Sequence, residues 1–316
     1  MSALPAKKKP SKQQLFTNAR IIDPSQDIDM VGEVLVEKGV VVETGKSISR
    51  NKIKKSYKET DCKGFILSPG LIDTRVFVGE PGEEYRETIA SASEAAAAGG
   101  VTSIVMMPDT HPVIDDVALV EFVRRTAQDT AKVNVYPTAA VTRGLHGEEM
   151  TEIGLLKNAG AVAFTDGRMT IANAQMQRRA MLYAADFGAL IVSATQDAAL
   201  AGSGVMNSGA NATRMGLPGI PREAEIIPLE RDMRLVAMTK GRYHAATLSV
   251  SVSVEVIAAA KKKGLDVTAG VAIANLSVQT TKSSGSHIKR VICLILRPIN
   301  LDIPLPGLLL QTAWGI

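Results

Sequence analysis

Three ionisable side chains stand where apolar runs of this chain end, and its chemistry would have to reside there. Asp109 follows the run Val101 to Pro108, Asp166 follows Ala161-Val-Ala-Phe-Thr165, and Arg75 interrupts Leu71 to Val78. Two carboxylates sharing a pocket can act as general acid and base. Paired with Arg75 they would instead satisfy one another and fill the site. None of the three supplies a Lewis acid. His111 and His146 fall in loops with no partner at ligand spacing, and both are expected at the surface. Cys62 and Cys293 lie far apart with no C-x-x-C partner, which argues against a disulfide framework or zinc ribbon and fits a reducing, cytoplasmic setting. No G-x-S-x-G elbow exists, and neither cysteine stands at a strand end beside a histidine, so a nucleophile with its base finds no support.

The elements that would position these groups alternate. The apolar run Phe65 to Ile72 is broken by Pro69-Gly70, and Asp73 to Val78 continues as a strand end before the Glu80-Pro81-Gly82 turn. Helices are expected over Thr88 to Ala98, Asp115 to Thr130, Glu148 to Asn158, Ile171 to Phe187, Arg222 to Thr239 and Val252 to Lys263. Between them lie short apolar strands: Val101 to Met107, Lys132 to Tyr136, Ala161 to Thr165, Ala189 to Ser193, Tyr243 to Ser249 and Asp266 to Val271. With the opening strand that makes about seven units apolar on both faces, as a parallel sheet requires, and points to a (β/α)8 barrel. A doubly wound open sheet is the runner-up, but no G-x-G-x-x-G follows the first strand. Ahead of the barrel, residues 15–64 read as a hairpin-built β-segment: Phe16 to Ile22, Glu33 to Glu37, and Val40 to Glu43 after the Lys38-Gly39 turn. The glycine-rich stretch Gly202 to Pro221 reads as a long loop, a lid or disordered.

Composition narrows the function classes. The chain has 316 residues, 46% of them apolar and 4% aromatic, enough to bury a large core built from aliphatic side chains. Its net charge of +4 is modest, and the clusters at Lys7 to Lys12 and Lys52 to Lys58 carry a single aromatic, Tyr57, too few for a stacking platform, so nucleic acid is not an expected partner. Met1 to Gln14 is polar, without an apolar signal region, and is expected to be a disordered basic tail. No uncharged apolar span in the body of the chain reaches the roughly 20 residues a membrane helix needs.

Several motifs resemble the amidohydrolase superfamily in its dihydroorotase branch. Pro69-Gly-Leu-Ile-Asp-Thr-Arg-Val-Phe-Val-Gly-Glu-Pro-Gly82 is similar to the opening motif P-G-L-I-D-x-H-x-H-x-R-E-P-G, with Arg75 and Phe77 at the two histidines and Gly79 at the arginine. Gly160 to Gly167 is close to G-A-x-A-F-T-D-D-G, which makes Asp166 the match to a bridging aspartate. Ile191 to Asp197 stands where the family has V-S-H-A-E-D, with Ala194 at the histidine and Gln196 at the glutamate. Arg242 to Ser249 matches R-Y-H-x-A-H-x-S, with Thr247 at the ligand and His244 at the preceding histidine, which is not a ligand in that pattern and reads as packed or hydrogen-bonded. Met106 to Pro112 resembles M-M-P-N-T-x-P, so Asp109, like Gly79, holds a position that would contact substrate. The resemblance runs from about Leu15 to Val278, and motifs outside the site, such as Glu80 to Thr88 and Gly216 to Glu225, match better than those inside it.

The resemblance implies a metal-dependent-hydrolase-type barrel over residues 65–279, with the β-segment as part of a side β-sandwich. Zinc serves the active family, but a guanidinium, a phenyl ring, a methyl and a hydroxyl cannot replace imidazole ligands, so no cofactor is expected. Whether the chain is an enzyme stays open. The expected role is a non-catalytic, dihydroorotase-like protein of pyrimidine synthesis that assembles with aspartate carbamoyltransferase. An active dihydroorotase or cyclic-amide hydrolase is one alternative, and a decayed gene product without function is another. From residue 280 the sequence no longer follows the family: Thr280 to Ser286, Val291 to Leu296 and Leu305 to Ile316 read as an atypical tail, expected to reflect truncation or a shifted frame and to leave the barrel incomplete at its eighth strand. Open edges would also favour a homo-oligomer.

Overall fold

The computed structural model describes residues 13–54 and 56–272, and the backbone of 309–312. The first described sheet is centred on β1 (Gln13–Asp23), which takes in Gln13 and Gln14 from the end of the expected disordered tail because they pair with Tyr57 and Lys58. β2 (Ile28–Glu37) pairs antiparallel with β1, and β3 (Val40–Gly45) antiparallel with β2. On the other side of β1 two strands share one edge. β4 (Tyr57–Asp61) runs parallel to residues 13–17, and β5 (Ile66–Pro69) pairs parallel with Arg20 and Ile21. The partner changes near an irregularity in the β1 and β2 register between Phe16 and Ala19, where Asn18 takes a φ of 58°. Alternation puts Leu15, Thr17, Ala19 and Ile21 on the buried face, and Ala19 and Ile21 pack with Val34, Val36, Cys62 and Leu67.

At Gly70 the chain leaves this sheet and enters the barrel. β6 (Leu71–Val76) pairs parallel with β7 (Val101–Met106), so the opening strand read from the sequence divides between two sheets. A side chain at residue 70 is excluded, because its Cβ would lie 2.2 Å from both Oγ1 and Cγ2 of Thr102 on β7. α1 (Ile89–Ala98) connects the two strands, its start closed by a reciprocal pair of bonds between Thr88 and Ser91. α2 (Val117–Thr130), capped by Asp116, leads to β8 (Asn134–Pro137), and α3 (Ile153–Ala159) follows.

The fourth position is a single contact rather than a regular strand: Phe164 bridges Ala139 on one side and Ile191 on the other, both parallel. α4 (Ala174–Asp186), capped by Asn173, precedes β9 (Leu190–Ser193). After α5 (Ala198–Ala201) the expected loop Gly202 to Pro221 is structured, with β10 (Met206–Asn207), α6 (Ala210–Met215) and β11 (Gly219–Ile220), the two strands pairing parallel. α7 (Glu223–Thr239) and β12 (Arg242–Ala245) come next, then α8 (Ser251–Lys262) and β13 (Val267–Ala269).

The parallel order β6, β7, β8, residues 161–165, β9, β12, β13 makes seven barrel positions among the described residues. Ile104, Phe164, Ile191 and Tyr243 from these strands pack with Ile89, Val120, Leu156, Leu229 and Ile257 from the surrounding helices in one core. The expected eighth-strand region and the tail read from residue 280, apart from 309–312, lie outside the described residues. Four residues of the tail are described as β14 (Leu309–Thr312), which pairs antiparallel with β5 and joins the first sheet.

Candidate ligand site at the barrel mouth

Arg75, near the end of β6, holds three strand ends together. Its guanidinium donates to the Thr247 hydroxyl at 2.6 Å and to the Gly167 carbonyl at 3.1 Å, partners 172 and 92 residues away in sequence. Burial pushes its pKa below the usual arginine value, while the Asp109 carboxylate acts in the opposite sense. The pairing of Arg75 with Asp109 and Asp166 that a shared pocket would allow does not form among the described contacts. Asp109 is in ion-pair contact with Arg168, whose Nε lies 3.3 Å from its Oδ2, and its Oδ1 is buried without a hydrogen-bond partner among the described residues.

Asp166 faces another way. Its Oδ1 accepts from the amides of Val141 and Thr142, both at 2.9 Å, and its Oδ2 accepts from the Thr142 hydroxyl at 2.5 Å. The carboxylate therefore ties down the turn after β8, whose buried amides need an acceptor. It is 3% exposed, and burial raises its pKa despite those bonds.

Phe77 lies between two guanidinium groups, Arg86 at 5.3 Å and Arg168 at 5.8 Å from its ring centre. Gly79 occupies a tight turn in which the Glu83 amide donates to its carbonyl at 2.6 Å. A Cβ there would lie 2.4 Å from the Glu83 carbonyl oxygen, so an arginine cannot be seated without moving the backbone. Ala194 contributes only its carbonyl, 2.7 Å from the Thr170 hydroxyl. His244 is buried on β12 with Nδ1 2.8 Å from the Thr268 hydroxyl; burial first, and Arg75 next, lower its pKa to about 4, so the ring is neutral at pH 7. His111 and His146 are exposed. Arg168 and Thr142 escaped the sequence reading; the first stands two residues after Asp166 in the same loop, and nothing local marks the second.

These residues do not fit a zinc ion. A catalytic zinc takes at least three nitrogen, oxygen or sulfur ligands. Four of the positions that the resemblance assigns to ligands hold Arg75, Phe77, Ala194 and Thr247, and the fifth, Asp166, has both oxygens engaged with Val141 and Thr142. Among the described residues no group of three or more His, Cys, Asp or Glu side chains is arranged to hold a metal. The Arg75 charge would moreover repel a dication placed between β6 and β12. Inside the strand ends lies a small cavity, open in part to solvent, lined from β6, β7, β9 and β12 and from the stretches beside them, with Arg75 and His244 among the lining side chains.

Residues 64–253, from just before β5 into α8, match the family described as Dihydro-orotase-like. The chain belongs to that family. The dihydroorotase of Geobacter metallireducens is 41% identical over 254 residues, covering 80% of this chain and 59% of the relative. The dihydroorotase of Syntrophotalea carbinolica is 42% identical over 258 residues, covering 82% and 60%. This dihydroorotase-like chain thus spans about three fifths of the length of these relatives. Solved structures share its fold. An L-hydantoinase (dihydropyrimidinase) from Arthrobacter aurescens matches with a TM-score of 0.70 at 21% identity, over 84% of this chain and 60% of its own. A dihydropyrimidinase from Brevibacillus agri matches with a TM-score of 0.65 at 18% identity, over 87% and 61%. No helix among the described residues is long and apolar enough to cross a membrane.

Proposed function

We propose that this chain is a non-catalytic member of the dihydroorotase-like family that serves pyrimidine synthesis as a structural partner of aspartate carbamoyltransferase. One observation carries the non-catalytic half. Arg75 and Thr247 each occupy a position where the family's pattern has a metal-binding histidine, and they are hydrogen-bonded to each other at 2.6 Å. Two ligand positions thereby satisfy one another, and the cation between β6 and β12 is a guanidinium that cannot lower the pKa of a bound water. Asp166, engaged by Val141 and Thr142, points the same way. The partner follows from the resemblance, together with a barrel whose glycine turns and core strands persist around an altered site.

Co-expression with the same organism's aspartate carbamoyltransferase tests the reading. The two chains are expected to co-elute at a size larger than either alone, with higher transferase activity in the complex. Separate elution, with the transferase equally active alone, refutes the partner role. The names of the relatives favour a second reading, an active dihydroorotase. Metal analysis and a dihydroorotate assay of the purified chain decide between them: stoichiometric zinc with turnover establishes the enzyme, and neither is expected.

A further inference from the structure

Arg75 is a half-buried cation whose charge no described carboxylate fully answers. Its two bonds go to a neutral hydroxyl and a neutral carbonyl, and the nearby Asp109 is in ion-pair contact with Arg168 instead. A guanidinium carries five N–H donors in a planar fork, so among the described residues Arg75 retains donors beyond these two bonds. The cavity it borders is otherwise mostly aliphatic: Val105, Ala163, Leu190, Val192 and Ala246 form much of its wall. Two of its polar members are already engaged, since the Thr138 hydroxyl donates to Met106 and the Thr165 hydroxyl accepts from the Gly167 amide.

A half-buried cation beside an apolar well selects its ligand. The charge calls for an anion, and the fork matches the two oxygens of a carboxylate. The aliphatic wall favours a hydrocarbon body and disfavours a strongly hydrated anion such as phosphate, which would lose its water there without further donors. We propose that the barrel cavity bordered by Arg75 binds a short-chain aliphatic carboxylate, its anionic end on the guanidinium and its hydrocarbon end against Val105, Leu190 and Val192. The inference rests on the metal-free reading of the site, because an ion held at Arg75 and Thr247 would displace the guanidinium. It gives the altered site a ligand of its own, separate from any partner protein.

Butyrate is the probe, titrated into the full chain by calorimetry with chloride and phosphate at matched ionic strength as controls. Butyrate is expected to bind at one site and the inorganic anions not to compete. Across acetate, propionate and butyrate the affinity should rise by about fourfold per methylene as each enters the well. Arg75→Met should weaken butyrate by about tenfold or more through loss of the charged pair. Ala246→Leu, which narrows the well and keeps the guanidinium, should weaken butyrate more than acetate. The chain-length series needs only the native protein, so it stands even if a variant fails to fold. No butyrate binding, affinity indifferent to chain length, or equal competition by phosphate would each overturn the proposal. Zinc content measured on the same sample separates the two ideas: stoichiometric zinc removes the non-catalytic reading, whereas a metal-free chain that ignores butyrate removes only the ligand.

Discussion

At the scale of single residues, the site shows how a few substitutions redirect the contacts of their neighbours. Arg75 links β6 to Thr247 and Gly167, a bridge between strand ends that a multivalent ion would otherwise supply. Asp166 is the one carboxylate at a ligand position, and it is committed to the turn at Val141 and Thr142. His244 carries the clearest consequence for stability. Its pKa falls from 6.5 to about 4 in the folded chain, so the unfolded chain binds the extra proton between those values. Stability contributed by the neutral ring is therefore full above about pH 6.5 and is lost as the pH falls toward 4. A shift of that size corresponds to a few kcal/mol, of order 3. Urea unfolding at pH 7 and pH 4.5 should show wild type losing more stability on acidification than His244→Asn. An equal loss in the two proteins would show that His244 is not held neutral by its surroundings.

At the scale of elements, the junction between the two sheets depends on a missing side chain. β5 belongs to the first sheet and β6 to the barrel, and only Gly70 separates them. The close approach of β7 at Thr102 means that Gly70→Ala must push strands apart, a strain of about 1–3 kcal/mol. Thr102→Ala in the same chain removes the two atoms nearest the new methyl and should recover part of that loss. Chemical denaturation of the two single variants and the double variant measures the coupling, and additive losses would show that the contact does not set the junction. The stretch between β9 and α7 makes the complementary point. Its glycines and polar residues look like an unstructured loop, yet short helices and the β10 and β11 pair form because Val205, Ser208 and Leu217 find backbone partners.

At the scale of the whole molecule, seven parallel positions among the described residues line a cavity at whose mouth Arg75, in place of an ion, bridges the strand ends. A chelator such as EDTA should therefore leave the melting temperature of the full chain unchanged, and a fall of several degrees would reveal a bound structural metal. Much of this architecture was legible in the sequence. The alternation of aliphatic strands with helices, stopped by glycines and capped by Thr88, Asp116 and Asn173, is local information, carried by side-chain period and turn chemistry. The absence of imidazoles at Arg75, Phe77, Ala194 and Thr247 is equally a property of the chain by itself. What those residues do instead was decided in three dimensions. The sequence reading joined Arg75 to Asp109 and Asp166 on charge alone, whereas the fold brings Arg75 to a hydroxyl 172 residues away, Asp109 to Arg168, and Asp166 to two amides of a turn. The physical reason is that hydrogen bonds form only within about 3 Å and at favourable angles. Which complementary groups meet at that distance is set by how the strand ends converge, and no local pattern in the chain encodes it.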